Sequence, residues 1–172
     1  MRQLAAGDLT ALDRLVRRHQ GRAQALAYRL CGDHQTAEDL AQEAFLRVYR
    51  AAGRYEPRGA FSTWLHRIIV NLYLDALKAR RPAVPLDDAR NLPDQRTGED
   101  PLAARERDAA IRREIARLPD RQRIALVLHC YEGHSHAEIA EITGWSESAV
   151  ESLLTRAYRN LRDALRGWRD SA

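Results

Sequence analysis

Arg156, Ser152 and Glu151, within the run GWSESAVESLLTRAYRNL, are the side chains of this sequence best matched in type to the edges of nucleic-acid bases. A guanidinium pairs with guanine or grips a phosphate, a serine hydroxyl suits either, and a carboxylate accepts from the cytosine amino group. One good bidentate pair discriminates between bases by about 1–3 kcal/mol. Ser148, Thr155 and Arg159 fall on or near the same stripe of a helix, and Arg159, Arg162 and Arg166 suit phosphates, which position a protein without reading sequence. Catalytic groupings are missing by comparison: no phosphate-binding glycine loop, nucleophile elbow or pair of catalytic carboxylates occurs, which argues against an enzyme and against any cofactor.

His129, Cys130, His134 and His136 lie within eight residues and are zinc-type ligands by chemistry. His134 and His136 flank a capping serine, and His129 and Cys130 belong to the preceding helix, so the metal reading is the weaker one and no metal is expected. Cys31 and Cys130 are far apart and outside any C-x-x-C pattern. They read as buried small apolar residues rather than as a disulfide or redox pair.

The element that must hold the base-reading stripe starts at Ser135. Glu138 follows three positions later as a capping box, Ile139, Ala140 and Ile142 mark a short helix, and Gly144 ends it. Ser146 then caps a second helix with an inner face of Val150, Leu153, Leu154, Ala157 and Leu161. Short helix, glycine turn and longer helix with a polar outward stripe is a helix-turn-helix over residues 135–160, whose second helix enters a DNA groove. A plain helical hairpin is the alternative, disfavoured by the small Ala140, Gly144 and Val150 at the turn and by the arginines that follow.

The rest of the chain is helical in period. Leu9, Leu12, Leu15, Val16, Ala23, Leu26, Ala27 and Leu30 predict a long amphipathic helix over 8–31 with a bend near Gly21. Asp33 caps a second helix that buries Ala37, Leu40, Ala41, Ala44, Phe45 and Val48 and runs to Gly53. After RYEPRGA a third helix starts near Ser62 or Thr63 and continues to about Arg81, with Phe61 and Trp64 packing inward. Pro82, Pro85, Pro93 and Pro101, with five acidic residues, make 82–105 an extended acidic linker. A helix over about 104–117 and another after Pro119 complete the second half. No segment reads as a strand pair. The expected fold is all-α: two small helical domains, 1–81 and 106–172, joined by that linker.

Charge is uneven. Residues 1–81 hold 14 basic and 8 acidic side chains, 82–105 hold 3 and 5, and 106–172 hold 11 and 11. The last helix is nonetheless basic, with Arg156, Arg159, Arg162, Arg166 and Arg169 against Asp163, and such local surfaces attract polyanions. The longest apolar run is a few residues and the N-terminus has no uncharged apolar stretch. The expectation is therefore no membrane insertion, no secretory signal and a cytoplasmic location.

The segment DHQTAEDLAQEAFLRVYRAAGRYEPRGAFSTWLHRIIVNLYLD, and after the linker LPDRQRIALVLHCYEGHSHAEIAEITGWSESAVESLLTRAYRNL, resemble regions 2 and 4 of bacterial sigma factors of the sigma-70 family. The two blocks, in order and with only a linker between, are similar to the extracytoplasmic-function (ECF) type, and the resemblance covers nearly the whole chain. It implies a protein that binds core RNA polymerase and directs promoter recognition, DNA melting and transcription initiation. It also implies an anti-sigma factor that masks the polymerase-binding surfaces. Glu38, Asp39, Gln42 and Glu43 form a mostly acidic patch, which as a bare sequence feature is a solvated helix face. The resemblance makes it the surface that docks on the β′ clamp helices, with the β subunit as a further contact. In the same way Arg58, Gly59, Ala60, Ser62 and Thr63 become the pocket for a flipped base of the minus-10 element, with Phe61 and Trp64 beside it and Arg67 and Asn71 toward adjacent DNA. Ser148, Glu151, Ser152, Thr155, Arg156 and Arg159 become the minus-35 contacts. Positions 151 and 153 are Glu and Leu where some relatives carry basic residues, so no minus-35 sequence is carried over. The linker, acidic like a nucleic acid, threads the polymerase channel in the family and is otherwise a plain connector. The competing reading of the whole is a stand-alone helix-turn-helix regulator with an unrelated N-terminal effector domain.

Overall fold

The computed structural model describes residues 1–56, 59–79 and 101–169, with the backbone alone at 2, 101–107 and 167–169. Every regular element among them is helical. The order is α1 (Arg2–Ala5), α2 (Leu9–Cys31), α3 (His34–Ala51) with a 3-10 turn at Ala52–Arg54, α4 (Phe61–Ala79), α5 (Pro101–Arg117), α6 (Asp120–Cys130), α7 (His136–Thr143) and α8 (Glu147–Arg169).

Local chemistry sets the boundaries. Asp8 caps α2 by accepting from the Thr10 N–H, and Gly32 ends it in the left-handed region at φ 73°. Asp33, immediately after, caps α3 by accepting from the Thr36 N–H at 2.7 Å, so one tight connection reverses the chain. Helices α2, α3 and α4 pack on one another, and Ala37, Leu40, Ala41, Ala44, Phe45 and Val48 all face inward, as the sequence pattern predicts. In the second half α5, α6 and α7 each pack on α8, and α6 packs on α7.

The core of the first half continues into that of the second. Leu65, Ile69, Val70 and Tyr73 of α4 belong to the same buried cluster as Ile124, Leu128, Ile139, Ile142 and Val150. Helix α4 packs against α7, and α2 against α5 and α6.

Several expectations change. The helix α2 runs unbroken through Gly21, and Leu9, expected in the core, is 61% exposed at its first turn, while Leu4 of the unforeseen α1 is buried. Helix α4 begins at Phe61 rather than Ser62 or Thr63, and α5 begins at Pro101 rather than near 104. Cys130 is exposed, not buried, and Cys31 is half-buried. Residues 80–100, most of the expected linker, and Pro57 and Arg58 lie outside the described residues.

Candidate nucleic-acid interface

The helix-turn-helix is built as its signals require. Ser135 Oγ accepts from the Glu138 N–H while the Glu138 carboxylate accepts from the Ser135 N–H at 2.9 Å, a reciprocal capping box. That hydrogen bonding holds the Glu138 carboxyl below the usual range. Gly144 closes α7 at φ 74°, a left-handed conformation that costs other residues roughly 1–2 kcal/mol, and its N–H donates to the Ala140 carbonyl. Ser146 Oγ accepts from the Ala149 N–H to start α8. Ile139, Ile142, Val150, Leu154 and Ala157 are buried between the two helices and α6. Arg121 of α6 lies over the Trp145 ring at 4.6 Å from its centroid, bracing the turn.

That packing turns the other side of α8 outward. Ser148, Glu151, Ser152, Thr155, Arg156 and Arg159 are all exposed, and the last five line one shallow depression. The charged and hydroxyl groups proposed for base reading thus share one face, with two guanidinium groups and one carboxylate in it.

At the start of α4, Gly59 and Ala60 are exposed, and Phe61, Ser62, Thr63 and Trp64 are half-buried. Phe61 and Trp64 pack against the core. Trp64 meets Phe61 edge-on at 5.9 Å between centroids and Tyr55 at 4.7 Å, and Phe61 meets His19 of α2 at 4.9 Å. The four rings are linked in the order Tyr55, Trp64, Phe61 and His19. Thr63, Arg67 and Asn71, four positions apart, share a helical stripe, and Arg67 and Asn71 are exposed on it. Arg58 is not among the described residues. Tyr55 stands in the RYEPRGA loop, where the sequence itself sets it with Phe61 and Trp64 as an aromatic among arginines; nothing local marks His19, which enters through its contact with Phe61.

On α3, Glu38, Asp39 and Gln42 are exposed and Glu43 is at the edge of exposure. Gln35 donates to Asp39 Oδ1 at 3.2 Å. Glu43 Oε1 is within 3.4 Å of Arg47 Nε and 3.5 Å of an Arg50 NH nitrogen, so its charge is partly balanced. Beside this patch Leu46 is 49% and Tyr49 47% exposed. Sequence reasoning passed over both because they fall off the inward stripe, yet two large apolar side chains exposed one turn apart next to carboxylates are themselves a signal of a docking face.

The candidate metal ligands do not converge. His129 Nδ1 is 2.9 Å from the His134 carbonyl, His134 turns to His66, and Cys130 Sγ is 3.1 Å from the Tyr158 hydroxyl. That contact, with burial second, pushes the Tyr158 hydroxyl up to about 12. Among the described residues no group of three His, Cys, Asp or Glu side chains is placed to hold a metal ion, and no helix is long and apolar enough to cross a membrane.

Comparison with known proteins matches both halves. The family model Sigma-70 region 2 matches residues 15–82, and Sigma-70, region 4 matches residues 108–161. The chain is 38% identical over 169 residues to the ECF RNA polymerase sigma factor SigE of Mycolicibacterium smegmatis, covering 94% of this chain and 65% of that one. It therefore spans just under two-thirds of the length of SigE. It is 37% identical over 158 residues to the ECF RNA polymerase sigma factor SigM of Mycobacterium tuberculosis, covering 91% of this chain and 78% of SigM. The solved structure of CnrH in complex with the cytosolic domain of CnrY superposes with a TM-score of 0.68 at 30% identity, over 96% of this chain and 94% of CnrH. With two family segments in order, relatives at this identity and an all-helical fold to match, the chain belongs to the sigma-70 family, among the ECF RNA polymerase sigma factors.

Proposed function

We propose that this chain uses three separate surfaces to recruit core RNA polymerase to a promoter. Residues 1–81 carry polymerase docking and minus-10 capture, 82–100 connect, and the second half, from the start of α5 at Pro101, carries the minus-35 reader. Glu38, Asp39, Gln42 and Glu43 dock on the β′ clamp helices, with Leu46 and Tyr49 as the apolar part of that surface; charge sets the rate and specificity of docking, and desolvated apolar groups supply affinity. The observation that carries the reading is the solvent-facing stripe of Ser152, Thr155 and Arg156 on a helix whose opposite side buries Val150, Leu154 and Ala157.

Gly59, Ala60, Ser62 and Thr63, with Arg58, hold a base extruded from the non-template strand, and Arg67 and Asn71 hold the neighbouring backbone. Holding the displaced strand lowers the cost of melting without any chemistry of the protein's own. The protein is thus no enzyme, and it works in the cytoplasm where polymerase and promoter are. CnrH is solved with the cytosolic domain of CnrY, and by analogy an anti-sigma factor holds this chain until a signal releases it.

The experiment is a gel shift on promoter fragments with and without core polymerase, followed by run-off transcription. Promoter-specific binding and transcripts are expected only with core enzyme. Tight specific binding by the isolated chain supports the stand-alone regulator instead.

A further inference from the structure

His66 of α4 and His134 of the α6–α7 loop meet where the two halves pack, 68 positions apart in sequence, with His66 Nδ1 2.9 Å from His134 Nε2. They are 5% and 6% exposed, the only buried polar residues among those described. Glu132 Oε2 lies 3.6 Å from His66 Nε2, and the other oxygen of Glu132 lies 3.8 Å from an NH nitrogen of Arg29 on α2. Arg22 and His19, also on α2, add positive potential at His66. On the far side, Glu138 of α7 lies 3.9 Å from His134 Nδ1. A second polar contact joins the halves where Arg123 donates to the Tyr73 hydroxyl, which donates to Asp120. Apart from His19, which meets Phe61 beside the proposed minus-10 pocket, these groups lie outside the three surfaces assigned above.

Two ring nitrogens 2.9 Å apart can hydrogen-bond only with a single proton between them. A proton on each would aim two N–H bonds at one another, so the contact needs at least one of the facing nitrogens bare. An added charge on His66 sits buried beside Arg22 with its counter-ion Glu132 already paired with Arg29, and on His134 it sits buried with only the exposed Glu138, at 3.9 Å, to offset it. We propose that the His66–His134 contact is a proton-sensitive latch that holds the two halves of the free chain closed and releases them when the pair is protonated.

Burial first, then the neighbouring His134 and Arg22, lowers His66 from its ordinary 6.5 to about 4, and burial lowers His134 as well. A group depressed in the closed form binds protons more readily once it is open. Closure is therefore fully stabilised above about pH 6.5 and weakens as pH falls from there toward 4. For His66 alone, the open-to-closed ratio rises roughly tenfold between pH 7.5 and 5.5.

What the latch controls rests on the function proposed above. Promoter elements centred near minus-10 and minus-35 are roughly 85 Å apart along B-form DNA at 3.4 Å per base pair. With α4 packed on α7, the two DNA-facing stripes lie within about one or two helix lengths, ~30–60 Å at 1.5 Å per residue. The closed chain reaches one element at a time, and both only after opening.

The test uses the full chain without polymerase, so its outcome is independent of the assigned function. Donor and acceptor dyes are placed at Gln24→Cys and Arg162→Cys, both exposed, with Cys31→Ser and Cys130→Ser. High energy transfer at pH 7.5 that falls by pH 5.5, with helical circular dichroism unchanged, is expected. The double variant His66→Asn and His134→Gln keeps a hydrogen bond between amides that do not titrate, and its transfer should stay high at both values. Low transfer at pH 7.5, transfer independent of pH in the parent, or an equal fall in the double variant overturns the proposal.

Discussion

Leu46→Ala together with Tyr49→Ala tests whether the exposed end of α3 is a docking surface. Fully burying a leucine side chain is worth about 1.5–3 kcal/mol, and Leu46 has about half of itself still to bury at 49% exposure. Its share on docking is about 1 kcal/mol. An aromatic side chain buries 150–250 Å² in all, so covering the exposed half of Tyr49 is worth about 2 kcal/mol at 25 cal/mol per Å². The pair then supports up to about 3 kcal/mol of affinity, or roughly a hundredfold in Kd, and non-additivity lowers rather than raises that figure. The folded chain loses little, because exposed substitutions usually change stability by no more than about 0.5 kcal/mol. Equilibrium titration of labelled chain against core polymerase reads the first quantity and a thermal melt the second. Asp39→Asn with Glu43→Gln should instead slow association and flatten its dependence on salt, because Glu43 is already half-balanced by Arg47 and Arg50. A double alanine variant that melts normally and binds core within twofold of the parent refutes the assignment of this face.

Three other outcomes follow from the geometry. Ser135→Ala removes the capping acceptor of α7 and should cost about 1 kcal/mol, a drop of about 2–4 °C in Tm for a chain of this size. Arg156→Ala should relax discrimination at one minus-35 base by about 1–3 kcal/mol in holoenzyme binding to a panel of single-base promoter variants, whereas Arg159→Ala should weaken all of them alike and reduce the salt slope by about one. His66→Asn should flatten the pH dependence of thermal stability between pH 7.5 and 5.5. In the parent, the depressed imidazole contributes stability above pH 6.5 that is lost as pH falls toward 4, about 1.4 kcal/mol for each tenfold change.

Local rules account for what was readable in advance. The α3 stripe, the Ser135–Glu138 box and the left-handed Gly144 each depend on residues within one or two turns, and there sequence and structure agree. Leu9 shows where periodicity stops being sufficient: it has core spacing, but it sits on the first turn of α2, and burial there goes to Leu4 of a four-residue helix too short to announce itself. Cys130 has a small apolar side chain at the end of α6, yet it emerges at the surface beside Tyr158. The residues proposed for docking and minus-10 capture rest on resemblance rather than on periodicity. Among their neighbours Tyr55 already stood out as an aromatic among the arginines of RYEPRGA, whereas Leu46, Tyr49 and His19 came only with the packed helices. The histidine seam was illegible for a simpler reason. His134 had a local reading as a candidate ligand beside a capping serine, and its actual partner lies 68 positions away.

The composition of that seam bears on how firmly the halves are joined. Side chains of both halves contribute to one apolar cluster, and apolar burial favours closure at any pH. Placing His66, His134, Glu132 and Arg29 in the same contact subtracts from that stabilisation, since buried polar and charged groups lose hydration that their mutual attraction at best repays. An all-apolar seam of similar area would hold the halves together too well for either to reach a distant partner. The mixed seam leaves a smaller net preference for the closed form, one that the polymerase docking proposed for α3 or the strand capture proposed for the start of α4 can outweigh with a few kcal/mol of binding energy. Replacing the pair by apolar residues, as in His66→Leu with His134→Met, should accordingly tighten closure, remove its pH dependence, and lower rather than raise the yield of promoter complexes. An increase in promoter complexes from that variant would mean that closure does not compete with function.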